Sequence, residues 1–193
     1  MSTDIRNPDA WVPVDAPITS DPAARAAMTD TMRAAKYVEI AKQFDVANNP
    51  RYVRGHNNDP KDGLETYCNI FLCDVMRALK APLPHWNDPI TGVETPMGKG
   101  KETSANGVCV WMQQHGLDNG WMECGEEQAR KRATAGYPTT VLWMNQGGIG
   151  HVAVILPGID YTHAAQAGAT NFFDQYVKKG FGAIPNLRFY THD

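Results

Sequence analysis

Two residues of this chain sit in surroundings that suit covalent chemistry. Cys68, in the run Thr66-Tyr67-Cys68-Asn69, opens an apolar helical pattern, and His151 follows Gly147-Gly148-Ile149-Gly150 and opens an apolar strand pattern. With Thr66 as N-cap, Cys68 is expected at the second helical position. Backbone N–H groups there have no intrahelical partner and the helix dipole adds positive potential, so thiolate is favoured over thiol. A thiolate at such a place is a nucleophile for acyl groups once an imidazole handles its proton. Of the six histidines (56, 85, 115, 151, 163 and 192), His151 stands out because it follows a glycine-rich run that lets backbone approach a ligand and opens an apolar strand. The chemistry would be acyl transfer through sulfur, with no metal and no cofactor. Taken alone, each residue also has a plainer reading: a cysteine is most often a small buried apolar residue, and a strand-end histidine often faces solvent. Cys73, one to two turns further along the same helix, fits that plainer reading and is expected in the core.

The elements that must position this pair follow from periodicity. Residues 1 to about 20, with Pro8, Pro13 and Pro17, read as an extended arm preceding a single domain over 21–193. Asp21-Pro22 starts a helix that the spacing of Met28, Met32, Ala35 and Val38 carries to about Phe44, with the methionine stripe facing the core. Residues 48–63 form a polar loop containing His56, Asp59 and Asp62. The helix opened by Cys68 runs to about Lys80, with Phe71, Val75 and Leu79 in one buried row and Leu72 and Met76 in another. Ser104 opens a helix closed by Gly116, Trp121–Cys124 is a short strand, and Glu126–Ala135 a further helix closed by Gly136. Strands over 139–144, 151–156 and 161–166, joined by turns at Gln146-Gly147-Gly148 and Pro157-Gly158, make an antiparallel meander, with a last strand over 187–191. Helices first and strands last give an α+β fold, helices packed on one face of an antiparallel sheet. Trp86, Trp111, Trp121 and Trp143 are expected in or against the core.

Bulk composition bounds the function. The chain has 193 residues, 42% of them apolar, and a formal net charge of -3. That is one domain's worth of core. The longest basic clusters are Lys99-Gly100-Lys101 and Arg130-Lys131-Arg132, which argues against a nucleic-acid partner. No run approaches the roughly 18 apolar residues of a membrane span. The first residues lack the basic and apolar regions of a secretory signal, so the chain is expected to be made in a cytoplasm. The four cysteines (68, 73, 109 and 124) have neither C-x-x-C spacing nor the density of a disulfide scaffold. Neither H-E-x-x-H nor another paired-ligand spacing appears, which leaves a zinc hydrolase as a weak rival.

Taken together, TYCNIFLCDV and GHVAVILPGIDYTHAAQAG resemble the cysteine helix and the histidine strand of papain-like peptidoglycan hydrolases of the NlpC and CHAP types. A narrower similarity, in Thr-x-Cys-Asn and the later Ala-Gln-Ala-Gly, is to phage-associated and toxin-type cell-wall peptidases. The similarity spans roughly residues 36–193. It implies a papain-like fold, Cys68 as nucleophile and His151 as base. It also implies a polar third member that accepts from the second imidazole nitrogen. If the strands pair around Pro157-Gly158, that member lies on the next strand. His163 stands where NlpC-type enzymes carry a polar partner, and Gln166 stands in the Ala-Gln-Ala-Gly run. Three residues apart, they face opposite sides of a regular strand. Gln166 is preferred, with Asn171 a third candidate. The Cys68 N–H is the expected first oxyanion donor, Tyr67 or the Asp62–Glu65 stretch would border the cleft, and Asn69 is expected to cap locally. The substrate implied is an amide bond in the peptide part of bacterial peptidoglycan, cleaved by an endopeptidase or amidase. Without a secretory signal, the resemblance implies action in the periplasm or cell wall of a target bacterium after specialised delivery: as a type VI secretion effector with a cognate immunity protein, or as a phage lysin. A deamidase or acyltransferase on the same fold, or a non-catalytic binding domain, are the alternatives.

Overall fold

The computed structural model describes residues 8–55 and 65–193; His56, Asp59 and Asp62 lie outside them. In chain order the elements are α1 (Pro8–Trp11), α2 (Pro22–Ala26), α3 (Asp30–Lys42), α4 (Cys68–Ala78), β1 (Trp86–Asn87), β2 (Lys101–Glu102), α5 (Ala105–Trp111), β3 (Met122–Cys124), α6 (Glu126–Thr134), β4 (Thr139–Trp143), β5 (His151–Leu156), β6 (His163–Ala167), β7 (Asn171–Tyr176), α7 (Lys178–Phe181) and β8 (Arg188–Thr191). Strands β3-β8-β4-β5-β6-β7 form one six-stranded sheet, antiparallel throughout. The α+β class and the antiparallel meander expected from the sequence are present.

The helices do not all lie on one face. Val152, Val154, Leu156, Ala165 and Ala167 pack in the core shared with Phe71, Leu72, Val75 and Met76 of α4. Residues of the opposite parity, Ala153, Ile155 and Ala164, pack with Ala129 and Ala133 of α6 and Phe181 of α7. A strand covered on both sides must be apolar on both sides, which is why β5 reads His-Val-Ala-Val-Ile-Leu without alternation. Fully burying each large α4 side chain contributes about 1.5–3 kcal/mol, so the cysteine helix is among the most firmly held elements.

The single helix expected over 21–44 is two. Asp21 caps α2 through Ala24 N (2.8 Å), and Thr29 caps α3 afresh through Met32 N (3.3 Å). The restart changes the phase. Met32 is exposed, while Tyr37, Ile40 and Ala41 carry the core contact together with a buried Arg33. Arg33 can lie inside because its Nε donates to Ala135 O (2.6 Å) and its Nη1 to Arg25 O (2.9 Å) and Met28 O (3.1 Å); backbone carbonyls replace the water it loses. The expected arm is also attached, from Ala10 on. Ala10 is fully buried, and Ile18 exchanges hydrogen bonds with the Gln43 amide at 3.0 and 2.8 Å.

Strand β7 and helix α7 were not visible in the periodicity. In β7 the register shifts: Ala164 pairs with Gln175 but Gln166 with Phe172, so β7 carries one extra residue. Asp174, at φ +60°, lies in that extra stretch, as expected of a β-bulge.

Candidate active site

Helix α4 begins at Cys68, one residue later than expected, so Cys68 is its first helical residue and not its second. Tyr67 holds the N-cap position with no capping bond from its side chain, and the first helical hydrogen bond is Phe71 N to Tyr67 O (2.9 Å). The N–H groups of Cys68, Asn69 and Ile70 therefore have no partner within the helix. Thr66 precedes the cap, and its hydroxyl is one of the groups that lower the Cys68 thiol. The sulfur is 2% exposed as a residue and lies within hydrogen-bonding reach of the His151 ring, the Val152 N–H and the Thr66 hydroxyl.

His151 is the first residue of β5, opposite Trp143 of β4. The register of β5 on β6 pairs Val154 with Ala165, which puts Ala153 opposite Gln166 and makes Gln166 a diagonal neighbour of His151 on the same face. Long side chains reach across such a diagonal. His151 Nε2 meets Gln166 Oε1 at 2.6 Å. Gln166, 3% exposed, donates through its own Nε2 to Thr170 O at 3.0 Å. That second bond fixes which end of the amide faces the histidine: the oxygen does, so Nε2 of the imidazole carries the proton and Nδ1 is left for the sulfur. Phe181 of α7 covers the pair, its ring centroid 4.6 Å from that of His151. A Cβ on Gly180 would stand 1.9 Å from Gln166 Oε1, so the backbone of α7 closes against the amide only because residue 180 has no side chain.

The electrostatics follow from these contacts. Burial pushes the Cys68 thiol up, but the hydrogen bond and charge of His151, with the Val152 N–H and the Thr66 hydroxyl, outweigh it and bring the thiol below its ordinary value. Burial alone would lower His151, yet the bond to Cys68, its charge and the Gln166 oxygen raise it above the ordinary histidine value. The two shifts describe one tendency, a proton held by the imidazole and a charge held by the sulfur. The other cysteines behave oppositely. Burial drives Cys73 well up, its thiol facing Pro84 O at 3.8 Å, and drives Cys109 to about 11. Cys124 is raised as well, and all four cysteines are free thiols.

His163 does not join the site. In an antiparallel pair the first residue of the second strand meets the last of the first, so His163 lies opposite Leu156. That is the far end of β5 from His151, about 17 Å along the strand at the usual rise. There it is held between Asp174 (Nδ1 to Oδ1, 2.5 Å) and Asp160 (Nε2 to Oδ1, 2.6 Å). Asn171 is turned away too, donating to Tyr52 O at 2.7 Å. Asn69 is not a local cap; its Nδ2 reaches Thr103 O (3.1 Å) and Glu102 Oε1 (3.4 Å), tying the residue after Cys68 to β2. Deeper in α4, the buried Asp74 receives Arg51 Nε (2.8 Å) and the Tyr52 hydroxyl (2.7 Å), which fastens the segment 50–55 to the cysteine helix.

Sequence reasoning missed the Thr66 hydroxyl, the Val152 N–H and the Phe181 cover. Only the last has a signal in the chain, an aromatic residue flanked by Gly180 and Gly182. Among the described residues no group of three His, Cys, Asp or Glu side chains is arranged to hold a metal ion, and no helix is long and apolar enough to cross a membrane. A scan against protein-family models finds no match to this chain, and neither does a search of curated proteins.

Proposed function

We propose that this chain is a papain-like cysteine hydrolase that cleaves an amide bond in the peptide part of bacterial peptidoglycan. The observation that supports it most is the hydrogen-bonded line from the Cys68 sulfur through the His151 ring to the buried Gln166 amide. A thiol brought below its ordinary pKa by an imidazole whose far nitrogen is fixed by a third group is the arrangement that nucleophilic catalysis by cysteine requires. Cell-wall peptide as substrate, action in the wall of a target bacterium and a cognate immunity protein come from the likeness of TYCNIFLCDV and GHVAVILPGIDYTHAAQAG to NlpC-type and CHAP-type enzymes.

In this mechanism the Cys68 thiolate adds to the amide carbonyl. A C–S bond forms, and the oxyanion takes the N–H of Cys68 at the mouth of α4. The imidazolium of His151 gives its Nδ1 proton to the leaving nitrogen as the C–N bond breaks, leaving a thioester and a neutral imidazole. Water then attacks the thioester, giving its proton to His151, and the acid product leaves as Cys68 returns to thiolate. Gln166 stays neutral throughout and holds Nε2–H in each state.

Incubation of the protein with purified peptidoglycan, followed by product masses, tests the reading. New free amino and carboxyl termini, absent with Cys68→Ala, are expected. A mass change of one unit without chain scission would indicate deamidation instead, and no thiol-dependent product of any kind would sink the hydrolase reading.

A further inference from the structure

The loop that delivers His151 is held from outside by one side chain that the mechanism does not use. Asn106, second residue of α5, donates through Nδ2 to Asn145 O (2.9 Å) and to Gly148 O (2.9 Å), and its Oδ1 accepts from Asn145 N (3.0 Å). Both amide N–H groups are used, and reversing the amide would set like against like at every contact. The loop leaves no slack. A Cβ on Gly150 would lie 2.3 Å from Asn106 Oδ1 and 2.6 Å from Trp143 O, so the residue just before His151 lies flat against this amide. Inside the loop, Asn145 Oδ1 accepts from Gly147 N (3.1 Å) and Asn145 Nδ2 donates to Ile149 O (3.3 Å), which makes residues 145–149 a rigid unit for Asn106 to grip.

The position of His151 makes this grip matter. It is the first residue of β5, so the ladder holds it from one direction only, through β4 and the rest of its own strand. On its other side stands the loop, and Asn106 is what ties the loop to α5. The same helix carries the buried Val108 and Cys109 in the core shared with α4. Asn106 thus connects the helix packed beside the nucleophile to the chain segment that ends in the base.

We propose that Asn106 is a positioning residue for His151: by clamping residues 145–150 it sets where the imidazole stands relative to the Cys68 sulfur. This rests on the reading of Cys68 and His151 as a working pair, and it goes beyond that reading by assigning a role to a residue that touches neither of them. The requirement is geometric. A sulfur–imidazole bond weakens steeply as its angle falls, and small displacements of a catalytic group cost large factors in rate.

The test reads the thiolate directly. Absorbance near 240 nm is titrated against pH for the full chain, with the Cys68→Ser protein subtracted as background, so no substrate is required. Asn106→Ala is a mild change for the helix, since alanine is the best helix former; Asn106→Asp keeps the shape and the acceptor while placing a second oxygen against the carbonyls of residues 145 and 148. Both variants are expected to raise the apparent thiolate midpoint by about one unit, a tenfold smaller thiolate fraction on the acid side. Asn106→Ala should lower kcat on a peptidoglycan-derived peptide with KM little changed. Gln113→Ala, on the exposed side past the end of the same helix, should titrate as the parent does. Variants that fold with the parent's midpoint overturn the role of Asn106 alone. A parent whose Cys68 titrates at the ordinary thiol value overturns the nucleophile–base pair itself, and this inference with it.

Discussion

Two histidines of the same meander, His151 and His163, are each held on both sides of the ring, and they differ in what holds them. His151 lies between an ionisable sulfur and a neutral amide oxygen. His163 lies between two carboxylates and under the Tyr161 ring, stacked at 3.9 Å between centroids. Burial opposes the charge on both, and hydrogen bonding overcomes it on both, so both are raised above the ordinary value. The consequence is different. Around His163 both partners are carboxylates, whose hydrogen bonds and charge favour the protonated ring. Around His151 the charge disappears when the proton moves back to sulfur, so the ring can pass between its two forms. A base must do the latter.

The strongest way to break this comparison is to remove one member from each cluster. Cys68→Ala should reduce peptide release from peptidoglycan by about 10⁵-fold or more, the order seen when a nucleophile is deleted, whereas His163→Ala should leave turnover within about twofold, as surface changes away from a site do. A comparable loss from His163→Ala would mean that the wrong histidine has been assigned. Gln166 offers a sharper cut. Gln166→Ala should cost about 10²-fold in kcat, less than the roughly 10⁴ lost when a tautomer-setting carboxylate is altered. Gln166→Glu should give His151 the kind of partner His163 has, moving the alkaline limb of the pH–rate profile upward.

That profile is the next test. On the proposed mechanism the active form is the ion pair, expected above the lowered pKa of Cys68 and below the raised pKa of His151. The rate of kcat/KM should therefore be bell-shaped, its acid limb below the ordinary thiol value and its alkaline limb above the ordinary histidine value, both belonging to the pair. A single limb near the free thiol value would show that no pair forms. For stability the order reverses. Cys73→Ala should cost about 1–2 kcal/mol through the cavity it leaves while activity persists, as read from urea midpoints. His163→Ala should cost under about 1 kcal/mol. Its contribution, from a folded pKa above the unfolded one, is full below the ordinary histidine value and fades as pH rises through the folded value; the difference between parent and variant midpoints should shrink accordingly as pH rises past the ordinary histidine value.

The residues gathered around Cys68 were more legible in the chain than the architecture around them. Cys68 and His151 stood out because their surroundings are local, a helix start and a glycine run before an apolar strand, while Gln166 entered through the resemblance carried by the Ala-Gln-Ala-Gly stretch. His163 was a rival through the resemblance to NlpC-type enzymes, and it is the hairpin register that carries it to the far end of β5. The phase of α3 was hidden because its core face includes Arg33, a residue that hydropathy assigns to water and that backbone carbonyls bring inside. Strand β7 was hidden because Asp174, Gln175 and Tyr176 are exposed and the bulge at Asp174 breaks its alternation. The cover on the second face of the sheet was hidden because α6 buries only alanines there, too few for an amphipathic pattern to stand out.

Gly180 and Gly150 have a bearing on how this protein tolerates change. Neither contributes a functional group, yet one stands where any side chain would strike the Gln166 oxygen and the other where it would strike the Asn106 oxygen. A saturation-mutagenesis map selected on activity would therefore show two empty columns at residues with no chemistry of their own. Space, as much as any donor or acceptor, is a heritable component of this site.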